Sequence, residues 1–213
     1  MQTKMQLNQI YTISYSQPES YRFSLDSIFL AQRINKWLLE NKYNPLKIAD
    51  LCAGCGVVGL ELLFHLHQRS ALEISQIDFI EVQSDYETHF EKNKQAMQEL
   101  LKSTTNLNLT LDNYQNLIGQ YGQNNFYDLI VCNPPYFHFG QGKLSPSTFK
   151  NRCRYFLDSD FINLLKWIQF ALSKNGSAFL LVRDLNPQDF ATIGLKYDDL
   201  PDVRGTQFIR LFH

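Results

Sequence analysis

The sequence predicts an α/β fold, a mostly parallel sheet with helices on both faces. Three observations carry that expectation. Apolar runs of strand length alternate with stretches of helical periodicity, an order that gives parallel neighbours joined by right-handed crossovers. A turn rich in glycine, Ala53-Gly54-Cys55-Gly56, links the first clear strand to a helix. The apolar run 126–132 then stops abruptly at Asn133-Pro134-Pro135-Tyr136. Proline offers no N–H to a sheet, and Pro135 pushes Pro134 out of helical geometry. A loop of this kind at the carboxyl end of a strand is where open α/β sheets hold their ligands.

In chain order, residues 10–15 (Ile10-Tyr11-Thr12-Ile13-Ser14-Tyr15) alternate in polarity and read as a short strand or hairpin arm ended by Gln17-Pro18. Tyr21-Arg22-Phe23-Ser24-Leu25-Asp26-Ser27 leads into a helix with Ile28, Phe29, Ala31, Ile34, Trp37 and Leu38 at helical spacing. Ser24 or Asp26 caps that helix, or the segment forms a lid over a cofactor. After a turn around Pro45, residues 48–52 form a strand that runs through the glycine turn into a helix over 57–67. Strand, glycine turn and helix let a backbone approach a ligand closely at a helix N-terminus. The lysine and Ser/Thr of a phosphate-binding loop are absent, as is the full dinucleotide spacing.

The strand 77–81 ends in Glu81, followed by Val82, about 25 residues past the glycines. A carboxylate there suits the ribose hydroxyls of a nucleoside. A polar helix over 85–102 follows, then an alternating strand over 107–111 ended by Asp112-Asn113, then a helix from 114 to 121. Beyond the Asn-Pro-Pro-Tyr loop, Asp158 opens a helix to residue 173, with Phe161, Leu164, Leu165, Ile168 and Leu172 at helical spacing. Asn175-Gly176 closes it, residues 177–182 form a strand, and residues 208–212 form the last one.

Composition narrows the class. A chain of 213 residues, 44% of them hydrophobic, can bury a substantial core. The expected organisation is one compact unit, with residues 1–44 as an N-terminal strand and helix extension and 45–213 as the core. No apolar run approaches the ~20 residues of a membrane span, and the first six residues lack the apolar core of a signal peptide. Four cysteines in such a length are no disulfide framework, which points to a reducing cytoplasm. Cys52-x-x-Cys55 invites a redox or zinc reading, but no second ligand pair has matching spacing, so these cysteines read as small apolar residues. His65 and His67, two apart on a helix, do not share a face.

The chemistry concentrates at residue 133. An exocyclic amine or amide nitrogen is a poor nucleophile because its lone pair is delocalised. The Asn133 amide oxygen and the Pro134 carbonyl can each accept one N–H and favour the pyramidal nitrogen that attacks an electrophile. Tyr136 can stack on the planar group and fix its approach. From residue 133 to 157 there are Lys143, Lys150, Arg152 and Arg154 and no acid, a local +4 in a chain of net charge −1. Interleaved with Phe137, Phe139, Phe149, Tyr155 and Phe156, that segment suits a partly single-stranded, phosphate-bearing partner, or is a solvated loop.

With these landmarks in order, the chain resembles the class I S-adenosylmethionine-dependent methyltransferases over nearly its whole length. Asp50-x-Cys-Ala-Gly-x-Gly resembles their cofactor loop, with Cys52 where a glycine is more usual. Asn133-Pro134-Pro135-Tyr136 resembles their motif for methylating planar nitrogens. More narrowly, the segment 21–27, the Asn-Pro-Pro-Tyr-Phe run and Arg152-Cys153-Arg154-Tyr155 resemble the bacterial tRNA adenine-N6 methyltransferases acting at position 37 of a valine tRNA. The resemblance implies a Rossmann-like, seven-stranded sheet and S-adenosylmethionine as cofactor, released as S-adenosylhomocysteine, with no metal. It implies cofactor contacts from Asp50, Cys52, Ala53, Gly54, Cys55 and Gly56, with Glu81 and Val82 at the ribose side, Asp112 or Asn113 near the adenine, and Arg22, Ser24 and Asp26 above. Asn133, Pro134, Pro135 and Tyr136 would hold the target amine, Asn133 also facing the cofactor. Lys143, Lys150, Arg152 and Arg154 would meet tRNA. The implied protein is a cytoplasmic monomer. Release-factor glutamine and rRNA guanine-N2 methyltransferases carry close variants of the motif, so a release-factor protein or rRNA stands as the alternative partner. His138 is near enough in sequence to act as a base, below solvent in rank.

Overall fold

A computed structural model describes residues 11–69, 74–119, 125–138, 140, 142–183 and 185–213. Its centre is a seven-stranded sheet of order β3-β2-β1-β4-β5-β7-β6. The strands are β1 (Lys47–Leu51), β2 (Gln76–Glu81), β3 (Asn106–Leu111), β4 (Tyr127–Cys132), β5 (Leu172–Val182), β6 (Lys196–Val203) and β7 (Thr206–Phe212). β3, β2, β1, β4 and β5 pair parallel, while β7 lies antiparallel between β5 and β6. The helices are α1 (Leu25–Glu40), α2 (Val57–His67), α3 (Glu87–Leu101), α4 (Thr148–Arg154), α5 (Phe161–Ala171) and α6 (Pro187–Ile193).

The central strands are apolar along their whole length because both of their faces are covered. Ile48, Leu129 and Val131 point into a core shared with α1, α2 and α3. Their neighbours Ala49, Leu51, Ile130 and Cys132 point into a second core under α5 and α6. Trp167 fills the second core and Phe79 and Phe90 the first, the latter two rings 4.6 Å apart. The chain leaves β1 toward β2 on one side and returns on the other side as β4, so a cleft opens where the carboxyl ends of β1 and β4 diverge.

The expected α/β sheet with seven strands, mostly parallel, is observed. Several local expectations are corrected. Residues 11–15 form no strand but cross α2 and α3 as a bent segment. Thr12 donates to Glu61 through its N–H (2.8 Å) and hydroxyl (2.9 Å), as does the Tyr15 hydroxyl (2.9 Å). The Asn93 amide accepts from the Ser16 N–H and donates to the Ser16 and Cys55 carbonyls. Side chains thus take the backbone partners that a sheet would supply. The helix expected from residue 114 is a single 3-10 turn, Tyr114–Leu117, and residues 120–121 lie outside the described residues.

α5 begins three residues beyond Asp158, at Phe161, because Asp160 caps it by accepting from the Asn163 N–H at 2.7 Å. It ends at Ala171, and Asn175-Gly176 lies inside β5, where the pairing with β4 shifts register. The segment after Asn133 is no simple loop. Ser147 caps the short helix α4, and the N–H groups of Phe137 and Phe156 bond the carbonyls of Arg154 and Phe137. This pinch closes the chain between residues 137 and 155 into one excursion.

Candidate active site

The carboxyl ends of β1, β2, β3 and β4 enclose a cavity of about 430 Å³. Its floor is the glycine turn. Cys52 (φ +57°), Gly54 (φ +55°) and Gly56 (φ +84°) all take left-handed backbone conformations. For Cys52 this is strained, which gives the physical reason a glycine is more usual there. Gly56 has no room for a side chain, since an added Cβ would meet the Phe90 ring at 2.9 Å.

Two buried carboxylates hold the turn. Asp50 accepts the Gly59 N–H through Oδ2 at 2.8 Å, fixing the start of α2, while its Oδ1 is buried without a partner. Glu81 accepts three backbone N–H groups, from Gly54 (2.8 Å), Val82 (2.9 Å) and Gln83 (2.8 Å). A carboxylate has roughly four acceptor positions, so about one stays open toward the cavity. Burial raises the pKa of both acids against the opposing pull of their N–H bonds, Asp50 well above the usual carboxylate range. At the end of β3, Asp112 Oδ1 accepts from the Asn113 N–H and the Asn116 amide, which leaves Oδ2 open. Asn113 is committed at both ends of its amide, capping the 3-10 turn and donating to the Asp158 carbonyl at 2.7 Å.

Above the turn stands Asn133. Its amide donates to Ser27 Oγ on α1 at 3.0 Å, and its amide oxygen accepts the Tyr136 hydroxyl at 2.7 Å. Both ends of the carboxamide are thereby oriented, and the residues before β1 contribute directly to the site. Burial and the nearby Asp26 raise the Tyr136 pKa, so its hydroxyl is a donor and no base. Pro134 and Pro135 line the same cavity.

The sequence-predicted residues divide clearly. Cys52, Ala53, Gly54, Cys55, Glu81, Val82, Asp112, Asn113, Ser24 and Asp26 line the cavity together with Asn133 to Tyr136. Gly56 and Asp50 lie just beneath, shaping the turn. Arg22 is exposed and outside the lining. Of the four expected RNA contacts, Arg152 and Arg154 reach the lining while Lys143 and Lys150 do not. Burial pushes the Cys55 thiol up to about 12 and Cys132 well above its ordinary value, so neither supplies a thiolate for redox chemistry. Among the described residues no cluster of His, Cys, Asp or Glu fits a metal ion, and no helix is long and apolar enough to cross a membrane.

Three contributors are given no role in the site by the sequence. Ser27 and Cys153 stand in segments that carry the family resemblance, but neither is singled out there. Cys153 bonds Tyr86 (3.3 Å) and Gln83 (3.4 Å) and joins α4 to the turn after β2. Arg183, one residue past β5, places its guanidinium 4.8 Å from the Tyr136 ring centroid.

Sheet order, glycine turn and acidic strand ends define the class: a class I methyltransferase, the architecture that works with S-adenosylmethionine. Residues 24–133, just over half of the chain, match the model of the family described as lysine methyltransferase, and the chain belongs to that family. Two curated relatives are tRNA1(Val) (adenine(37)-N6)-methyltransferases. The one from Flavobacterium psychrophilum is 24% identical over 77% of this chain and 66% of its own. The one from Shewanella sediminis is 26% identical over 75% of this chain and 63% of its own. The chain thus spans just under two thirds of these relatives' length. Among solved structures, SMU.776 in complex with SAH matches with a TM-score of 0.54 at 13% identity, over 89% of this chain and 49% of that one.

Proposed function

We propose that the protein transfers the methyl group of S-adenosylmethionine to the exocyclic N6 amine of an adenine in tRNA, at position 37 of the anticodon loop. The observation that carries the reading is the doubly anchored Asn133 carboxamide at the end of β4, directly above the glycine turn. The names of the two curated relatives support the choice of adenine.

The residues present fit the cofactor. Left-handed glycines let the backbone approach it, Glu81 keeps one acceptor position for a ribose hydroxyl, Val82 lines the same cavity beside it, and Asp112 Oδ2 is open for an adenine amine. When bound, S-adenosylmethionine supplies an electrophilic methyl on a sulfonium. The chain's own residues then do the positioning. A target base swung out of its loop stacks on Tyr136, and its amine donates to the Asn133 oxygen and the Pro134 carbonyl. The Tyr136 hydroxyl must shift from Asn133, or share that oxygen's second lone pair. These acceptors favour the tetrahedral nitrogen of the transition state, and the proton leaves to solvent after transfer.

The family's description raises a lysine substrate as the rival. A lysine amine arrives protonated and needs a base, whereas the hydroxyl beside Asn133, that of Tyr136, is held as a donor. The deciding experiment offers labelled cofactor to unmodified bulk tRNA and to a protein extract, with nucleoside analysis of the RNA. N6-methyladenosine is the expected product. Label in a protein band with none in RNA would overturn the reading.

A further inference from the structure

Three arginines line the cavity, Arg152, Arg154 and Arg183, and they are not equivalent. Arg152 is committed to a two-point ion pair with Asp158, at 2.8 and 2.7 Å, which ties the end of α4 to the loop before α5. Arg154 and Arg183 have no carboxylate partner among the described residues. Both are exposed, and both lie on aromatic faces. The Arg154 guanidinium is 5.6 Å from the Phe137 centroid and 5.7 Å from that of Tyr155. Arg183 is 4.8 Å from Tyr136 and 5.9 Å from Phe137.

A guanidinium seated on a ring satisfies its plane and leaves its N–H edge, the edge that matches an anion's oxygens, free. The Phe137–Tyr155 pinch makes this placement architectural, because the backbone bonds that join Phe137 to Arg154 fix the rings and one of the cations together. Both guanidiniums lie within 6 Å of the Phe137 centroid, and the Arg183 one also lies on Tyr136. A nucleic-acid strand carries one phosphate per nucleotide, so two such donors at one rim can hold the phosphates that flank one nucleotide.

We propose that Arg154 and Arg183 form a two-point phosphodiester clamp at the mouth of the site, gripping an RNA strand on both sides of the nucleotide that enters. The proposal rests on the function proposed above and sharpens it. The substrate is an internal nucleotide of a single-stranded segment, neither a free nucleoside nor an amide on a protein. Arg152 is a strut in this arrangement, and the lysines of the basic segment lie outside it. Charge and stacking act together, so lysine replaces only half of the interaction.

The test is steady-state methylation of a tRNA transcript by the wild type, Arg154→Ala, Arg183→Ala and Arg183→Lys over a range of salt, with cofactor affinity measured by calorimetry. Each alanine variant is expected to raise KM about tenfold with kcat within about twofold. Each should also shrink the logarithmic salt slope of kcat/KM by about one, the signature of one lost phosphate contact. Arg183→Lys should restore the slope and only part of KM. Cofactor affinity and the melting temperature should match the wild type. Unchanged KM and slope in both alanine variants, with tRNA still methylated, would remove the clamp alone. So would a fall in kcat at constant KM, which would assign the arginines to orienting Tyr136. A wild type that labels only protein would remove the clamp and the function together.

Discussion

Asn133 has its amide donor on Ser27 and its oxygen under the Tyr136 hydroxyl, and other residues build the glycine turn, so the proposed function makes its truncation a test of the chemistry alone. Asn133→Ala should keep cofactor binding while the barrier to methyl transfer rises by about 3 kcal/mol, the order expected for a lost transition-state hydrogen bond. Near-normal turnover in single-turnover kinetics would refute the role. Asp50 makes a second, independent prediction. Burial raises its folded pKa above its unfolded value near ~3.9, so the fold favours the protonated form. That contribution is fully present below the unfolded value and is lost as pH rises through the raised folded one. Asp50→Asn cannot ionise and keeps an oxygen for the Gly59 N–H. Its urea midpoint should therefore fall less than that of the wild type between the ordinary carboxylate range and neutrality. Identical slopes would mean that Asp50 does not titrate across that range.

At the scale of elements, the glycine turn shows how local rules and packing part company. Gly59 lies inside α2, where alanine would ordinarily gain about 1 kcal/mol. Here an added Cβ would meet the Phe79 ring at 2.6 Å and Asp50 Oδ2 at 3.0 Å. Gly59→Ala should destabilise by about 1–3 kcal/mol, the usual cost of overpacking, and a gain in denaturation midpoint would contradict the close approach. The same contrast explains what the sequence could reveal. β1, β2 and β4 are buried on both faces, so their apolar runs were legible, as were the Gly54–Gly56 turn, Glu81 and Asn133 that follow them. β6 was not, because it is an edge strand with mostly exposed residues, Asp198, Asp199, Asp202 and Pro201 among them, which read as a loop. α4 and α6, each seven residues, are too short for periodicity to register. Arg183 is a single residue after a strand, and only the fold brings it over Tyr136.

For the whole molecule, the site is assembled from parts far apart in the chain: the glycine turn, the ends of β2 and β3, the pinched excursion after β4, and α1, which reaches over through Ser27. The bent segment before α1 is anchored on Glu61 and Asn93 and then supplies Gln17, Tyr21 and Phe23 to the cavity wall. The sheet order has a consequence for biosynthesis. Because β7 lies between β5 and β6, the outer edge of β5 cannot be covered until residues 206–212 have been made, and β6 waits beside it without a partner. A growing chain that already holds the glycine turn, Asn133 and the arginine rim therefore still exposes an apolar strand edge, the kind of surface that recruits a chaperone or a second copy. Nascent chains stalled before Thr206 should be sensitive to protease and prone to aggregate, and chains stalled with residue 212 beyond the exit tunnel should resist. Equal resistance at both lengths would show that the parallel half closes without its last strand.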